Sequence, residues 1–191
     1  MEPQGGISTN LDGSKNLTLG LAGDHGSAGA FVHGYKDSQQ FPKPTGPSFG
    51  SAGGNITMGS QSANIGVTAT HIPHSANQLS ASTNLNLVDA NRHKVDVNAF
   101  TTKTFPKGPA PNFNTHGAGV NYSYNDTVHA GASIAHTPMF KHTQQSVNAG
   151  VNLMNTPNSS LSLNAGVSRS QNPFHNSGWQ PGGSMVFRKQ F

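Results

Sequence analysis

Carboxylates, hydroxyls and imidazoles are the groups that could do chemistry in this chain, and their spacing argues against catalysis. Glu2 is the one glutamate, and the aspartates are Asp12, Asp24, Asp37, Asp89, Asp96 and Asp126. A carboxylate pair of the glycosidase type would have to come from these. Most stand at predicted turns, where Asp is favoured by its local hydrogen bonding. Gly46-Pro47-Ser48-Phe49-Gly50 matches the pattern of a nucleophile elbow. That motif needs a strand before it and a helix after it, and neither flank fits. His71 and His74 invite a metal, and His71 has a repeat partner in His136. With no His-Glu-x-x-His pattern and no cysteine, they read instead as polar strand ends before Pro73 and Pro138. No catalytic residue, metal ligand or cofactor is assigned, and no nucleic acid or small-molecule substrate is called for. Asn16, Asn55, Asn121, Asn125 and Asn158 head Asn-x-Ser/Thr sequons, which report the composition before they report glycosylation.

Cations beside aromatic rings are the better candidates for contact with a partner. Lys103 and Lys107 flank Phe105, and Arg188 and Lys189 lie beside Trp179, Phe187 and Phe191. Such groups suit an anionic membrane surface, where charge attracts and rings settle at the headgroup level. The alternative is that Phe187 and Phe191 are core residues of a last strand whose solvated face carries the cations. One strand can present both.

The elements that would hold these residues are strands. Period-two alternation runs through Leu17, Leu19 and Leu21, then Leu85 and Leu87, then Val95, Val97 and Ala99. It continues in Val120, Tyr122 and Tyr124, in Val128 to Ile134, in Val147 to Leu153 and in Leu161 to Val167. Asp89 to Arg92, Asn125-Asp126 and Asn155 to Ser160 have turn chemistry. The expectation is an all-β fold, an antiparallel meander of about ten to twelve short strands. Such a meander hides its edges most economically by closing into a small barrel or a flattened barrel-like sandwich.

Composition limits what that fold can bury. Phe, Leu, Ile and Val make up about 19% of 191 residues, near the level associated with disorder, but charged residues are only 9%. A thin core and modest stability follow, and folding only on a partner stays open. The net charge of +4 favours anionic partners weakly, and ten His add charge as pH falls toward 6. No run of 18 apolar residues exists, so no transmembrane helix is expected. Met1-Glu-Pro-Gln-Gly-Gly is not read as a signal peptide. That leaves a mature form given a starting Met, or a protein kept inside the cell.

The chain repeats itself. Phe41-Pro42-Lys43 recurs as Phe105-Pro106-Lys107 and Phe49 as Phe113, about 64 residues later. Gly66, His71 and Pro73 match Gly131, His136 and Pro138, and Asn172-Pro173-Phe174 is a partial third copy. We divide the chain into 1–75, an N-terminal segment with a first glycine-rich repeat, and 76–191, a second repeat with C-terminal strands. One continuous structural unit is the other possibility.

Several of these residues carry a family resemblance. Val97-Asn-Ala-Phe100, Gly117-Ala-Gly-Val-Asn-Tyr122, Gly131-Ala-Ser133, Ala135-His-Thr137 and Leu163-Asn-Ala-Gly166 lead to Pro173-Phe174, Ser177-Gly-Trp179-Gln-Pro181 and Phe187-Arg-Lys-Gln-Phe191. In that order and spacing they resemble the attacins, glycine-rich antibacterial proteins of insects, most strongly from about residue 93 onward. The resemblance implies inducible defence against Gram-negative bacteria, acting at the outer membrane. Its members are thought to bind lipopolysaccharide and disturb permeability, and most are secreted. An outer-membrane-type β-barrel is the runner-up, because its alternating strands and terminal Phe191 fit, although aromatic girdles are missing from the sequence. A matrix protein would need a more regular repeat, and an enzyme is least expected. The oligomeric state is open.

Overall fold

The computed structural model describes residues 1–10, 12–36, 48–60, 62–90, 92–125, 127–156 and 159–189. Phe41-Pro42-Lys43, Asp37, Gly46, Asp126, Asn158 and Phe191 lie outside the described residues. The rest is antiparallel strand with one 3₁₀ turn at Pro138–Phe140 among the described residues. The strands are β1 Glu2–Thr9, β2 Lys15–Gly23, β3 Gly26–Tyr35, β4 Ser51–Gly59, β5 Ala63–Ile72, β6 Ala76–Ala90 and β7 His93–Pro106. They continue as β8 Phe113–Tyr124, β9 Val128–Thr137, β10 His142–Thr156, β11 Ser159–Asn172, β12 His175–Asn176 and β13 Gln180–Lys189.

Thirteen strands hydrogen-bond in chain order from β1 to β12, with β13 returning to β11. The antiparallel meander is as the alternation predicts, with one strand more than the upper expectation. Closure is not observed. The strand order is a linear path, and its first strand β1 has β2 as its single neighbour. The physical reason is visible in the burial. A small barrel closes by filling its interior with one face of the sheet, whereas Ala76 is the one buried apolar residue among those described. The large apolar residues of the described strands are instead mostly exposed.

By compactness the chain forms two units. The first comprises 1–83 with 101–113, and the second comprises 84–100 with 114–191. Turns are built by the residues whose chemistry suits them. Arg92 and Asn125 adopt φ of 75° and 51° at hairpin turns, and His74 adopts 58° between β5 and β6. The β1–β2 turn is closed by the Asn10 N–H donating to the Ser14 carbonyl at 2.7 Å.

Each unit is an amphipathic sheet, because side chains alternate between faces. In the first unit the cross-strand register sets Ile7, Leu17 and Val32 in one row and Leu21, Ala28, Ile56 and Val67 in another, all on one face. The other face carries Thr18, Ser27, Asn55, Thr57 and Thr68. Hydroxyls pair across it, as between Ser27 and Thr57 and between Ser80 and Thr102 at 2.8 Å.

In the second unit the polar face explains the glycines. Gly131 stands between Asn121 and Asn148 in register. A Cβ there would come within 2.8 Å of one carboxamide oxygen and 2.9 Å of the other. Gly150 likewise lies beneath the bond from His129 Nε2 to Asn164 Oδ1, 2.8 Å long, and a Cβ would collide with both side chains. Glycine here is a shelf on which larger polar groups lie flat. Cross-strand pairs of this kind each contribute about 0.2–1 kcal/mol, so the sheet is held by many small terms and by its main-chain ladder.

Candidate functional site

The apolar faces are the candidate site, because they are displayed to solvent. On the first unit Leu19 is 71% exposed and Met58 67%, and Ile7 and Ile65 are similarly open. A scatter of single exposed apolar residues is ordinary, but a contiguous face of them marks an interaction surface.

Cations stand at the margin of this face. Ser80 and Thr102 meet on the polar side, so the alternation puts Leu79, Lys103 and Phe105 on the apolar side. Lys103 Nζ lies 5.5 Å from the centroid of the Phe105 ring, a cation–π contact. Lys107 Nζ donates to His71 Nε2 at 3.3 Å, and its backbone N–H donates to the Ser75 carbonyl at 2.8 Å. The other His71 nitrogen, Nδ1, meets Asn77 Oδ1 at 2.7 Å, and the ring sits 6.4 Å from that of Phe49. These contacts fit an imidazole carrying its hydrogen on Nδ1. His71 therefore orients a lysine and a ring. His74 stands in the following turn.

On the second unit two cross-strand rows cross the apolar face. Ala118, Ile134, Gln145 and Arg169 form one, and Val120, Ala132, Val147, Val167 and Pro181 form the next. Trp179 lies against both rows and is 51% exposed. Farther along the same face His93 Nδ1 meets the Tyr122 hydroxyl at 2.8 Å, and its ring is 4.9 Å from that of Tyr124. The sequence showed no aromatic girdle, yet this end of the face carries a small aromatic cluster.

The residues singled out in the sequence fall in different parts of the structure. Lys103 and Lys107 belong to the first unit, and Trp179 and Phe187 to the second. Phe187 is 59% exposed, opposite Leu161, so it is not a core residue. Gln180 pairs with Ser168, which sets Trp179 at the far end of β13 from Phe187, about 26 Å away at strand rise. Arg188 and Lys189 pair by backbone with Ser160 and Ser159, and their side chains, like Phe191, lie outside the described set. Arg169 went unnoticed in the sequence. The signal was present, since Arg169 continues the apolar alternation of Leu161, Leu163, Ala165 and Val167.

The groups that could have supplied catalysis are tied into local structure. Asp12 accepts from the Ser14 hydroxyl at 2.6 Å and the Ser14 N–H at 3.1 Å, with Lys36 Nζ 3.1 Å away. The two bonds from Ser14 and the lysine hold its carboxyl at about 2, below the ordinary 3.8. Asp96 accepts from Asn86 at 3.0 Å. The Ser48 carbonyl, not its hydroxyl, receives the Lys36 N–H at 2.8 Å. Among the described residues no group of three or more His, Asp or Glu could hold a metal ion.

An open antiparallel sheet with one apolar and one polar face defines the class. Residues 73–191 match the family described as "Attacin, C-terminal region", and the chain belongs to that family. Attacin-B of Hyalophora cecropia is 40% identical over 126 residues, covering 65% of this chain and 54% of that protein. Defense protein 3 of Lonomia obliqua is 36% identical over 65% of this chain and 54% of its own length. Attacin-A of Trichoplusia ni is 28% identical over the whole of this chain and 74% of itself. The chain thus spans about half the length of the first two. Among solved structures, an anion-selective porin from Comamonas acidovorans superposes with a TM-score of 0.54 at 10% identity, over 96% of this chain and 58% of the porin. That likeness shows the strand architecture alone.

Proposed function

We propose that the protein is a non-catalytic antibacterial effector, acting from outside the cell, that binds lipopolysaccharide on the Gram-negative outer membrane and disturbs its permeability. Family membership supports the antibacterial part. The observation that carries the membrane part is the apolar face of each unit, open to solvent, with Lys103 and Lys107 at the margin of one and Arg169 in the row of the other. Dispersed cations would meet the phosphates of the leaflet, and the apolar rows would settle against its acyl chains. Co-sedimentation with lipopolysaccharide vesicles tests this directly. Binding that weakens between low and high salt is the expected result, because exposed charges are screened. Salt-insensitive binding would contradict the electrostatic half, and no binding would defeat the reading.

A strand-spanning insertion like that of an outer-membrane barrel is the second reading. Its specific support is strand length, since β6 and β10 reach 15 residues each, enough to cross a bilayer. Against it, a linear sheet in hydrocarbon leaves the free backbone edge of β1 unsatisfied. A requirement for detergent to keep the protein in solution would favour insertion over surface binding.

A further inference from the structure

The apolar face of the second unit carries an open apolar depression bordered by Trp179. The link between β12 and β13 is pinned on β11, where the Ser177 N–H donates to the Ser170 carbonyl and the Ser170 N–H to the Ser177 hydroxyl, both at 2.9 Å. Gly178 then takes φ of 66°, a left-handed turn that a side chain would strain. That turn delivers Trp179 over the sheet. Beside the indole the depression, of about 400 Å³, is lined by Ala118, Val120, Ala132, Ile134 and Val147, with Gln145 at its polar end. The small residues Ala118 and Ala132 leave the room there.

One charge stands next to it. Arg169 shares the cross-strand row of Ile134 and Gln145. Among the described residues the guanidinium is oriented by Arg169 Nε donating to Asn176 Oδ1 at 3.1 Å. No carboxylate of the described residues pairs with it. Beyond the N–H on Asn176, a guanidinium has four further donors, and their fork matches a phosphate. An apolar depression with a guanidinium on the strand next to its Gln145 end has the two-part chemistry of a phosphorylated acyl lipid.

We propose that the depression bordered by Trp179 takes one acyl chain of a phosphorylated lipid, with Arg169 holding the phosphate and the indole packing against the chain. This rests on the membrane-binding reading above and locates it on the second unit. Trp179 is the chain's one tryptophan, so its fluorescence reports the site without labels. The experiment uses the full chain with lipopolysaccharide-doped vesicles of a phosphatidylcholine, prepared with and without bromine on the acyl chains, and follows co-sedimentation in parallel. A blue-shifted emission that brominated chains quench is expected, with Arg169→Gln weakening the shift about tenfold. Ala132→Leu, which fills the depression, is expected to abolish the shift while co-sedimentation and the far-ultraviolet spectrum persist. Co-sedimentation with unshifted, unquenched Trp179 would overturn this site and leave the proposed function standing. An unchanged affinity in Arg169→Gln would overturn the phosphate assignment. Absence of co-sedimentation would remove the membrane-binding reading itself, and this site with it.

Discussion

Asp12 shows how much a single side chain does in a sheet with so little buried. Its carboxylate closes the β1–β2 turn through Ser14 and anchors Lys36. Its folded-state value of about 2 lies below the ordinary 3.8, so the stabilisation is complete above about pH 4 and is lost as pH falls toward 2. Asp12→Asn should flatten that acid limb in a chemical-denaturation series run between pH 5 and about 2. An unchanged limb would show that the turn does not depend on the charge. Gly150 makes the opposite point, since it acts by lacking atoms. Gly150→Ala should push His129 off Asn164 and destabilise the second unit by about 1–3 kcal/mol, seen as a lower thermal midpoint. Turn residues such as Asp12 and Asn125 are legible in a sequence because their chemistry is local. The glycine shelves are not, because each is defined by side chains on two neighbouring strands.

At the scale of the element, alternation reveals a strand but not what covers it. The runs around Leu17, Val147 and Leu161 are strands, each with its alternating apolar residues on one face of its own unit, as their spacing predicts. β1 escaped notice because Glu2-Pro-Gln-Gly-Gly has no apolar alternation, and its pairing with β2 is what makes it a strand. The link before β13 also hid its consequence. Trp179 looks like a neighbour of Phe187 in sequence, but an extended strand carries the two to opposite ends. Since Leu19 and Met58 are mostly exposed, Leu19→Ser and Met58→Ser should leave the thermal midpoint nearly unchanged. Their partition onto lipopolysaccharide vesicles should fall several-fold, because each removes apolar area from the contact. A loss of stability instead would place these side chains in a core.

For the whole molecule, the expectation of closure failed for an energetic reason. Closing a sheet satisfies its edges, but only an interior that fills makes a small barrel stable. This chain has few large apolar residues, and among the described residues many of them stand exposed on the sheet faces. The repeat and the family landmarks were legible because they are patterns of residue type. The exposed face was not, because burial is a property of layers that a single sequence does not declare. The same face is what the proposed function uses, and it gives a prediction that either sheet can answer. The chain has no cysteine, so single cysteines carrying an environment-sensitive dye can be placed along β2 at Thr18, Leu19 and Leu21 and along β10 at Val147 and Asn148. On addition of lipopolysaccharide vesicles, labels at Leu19, Leu21 and Val147 should move to an apolar environment, while those at Thr18 and Asn148 stay in water. Equal responses from both faces, or none from either, would contradict the account that the apolar face is the surface that meets the bacterium.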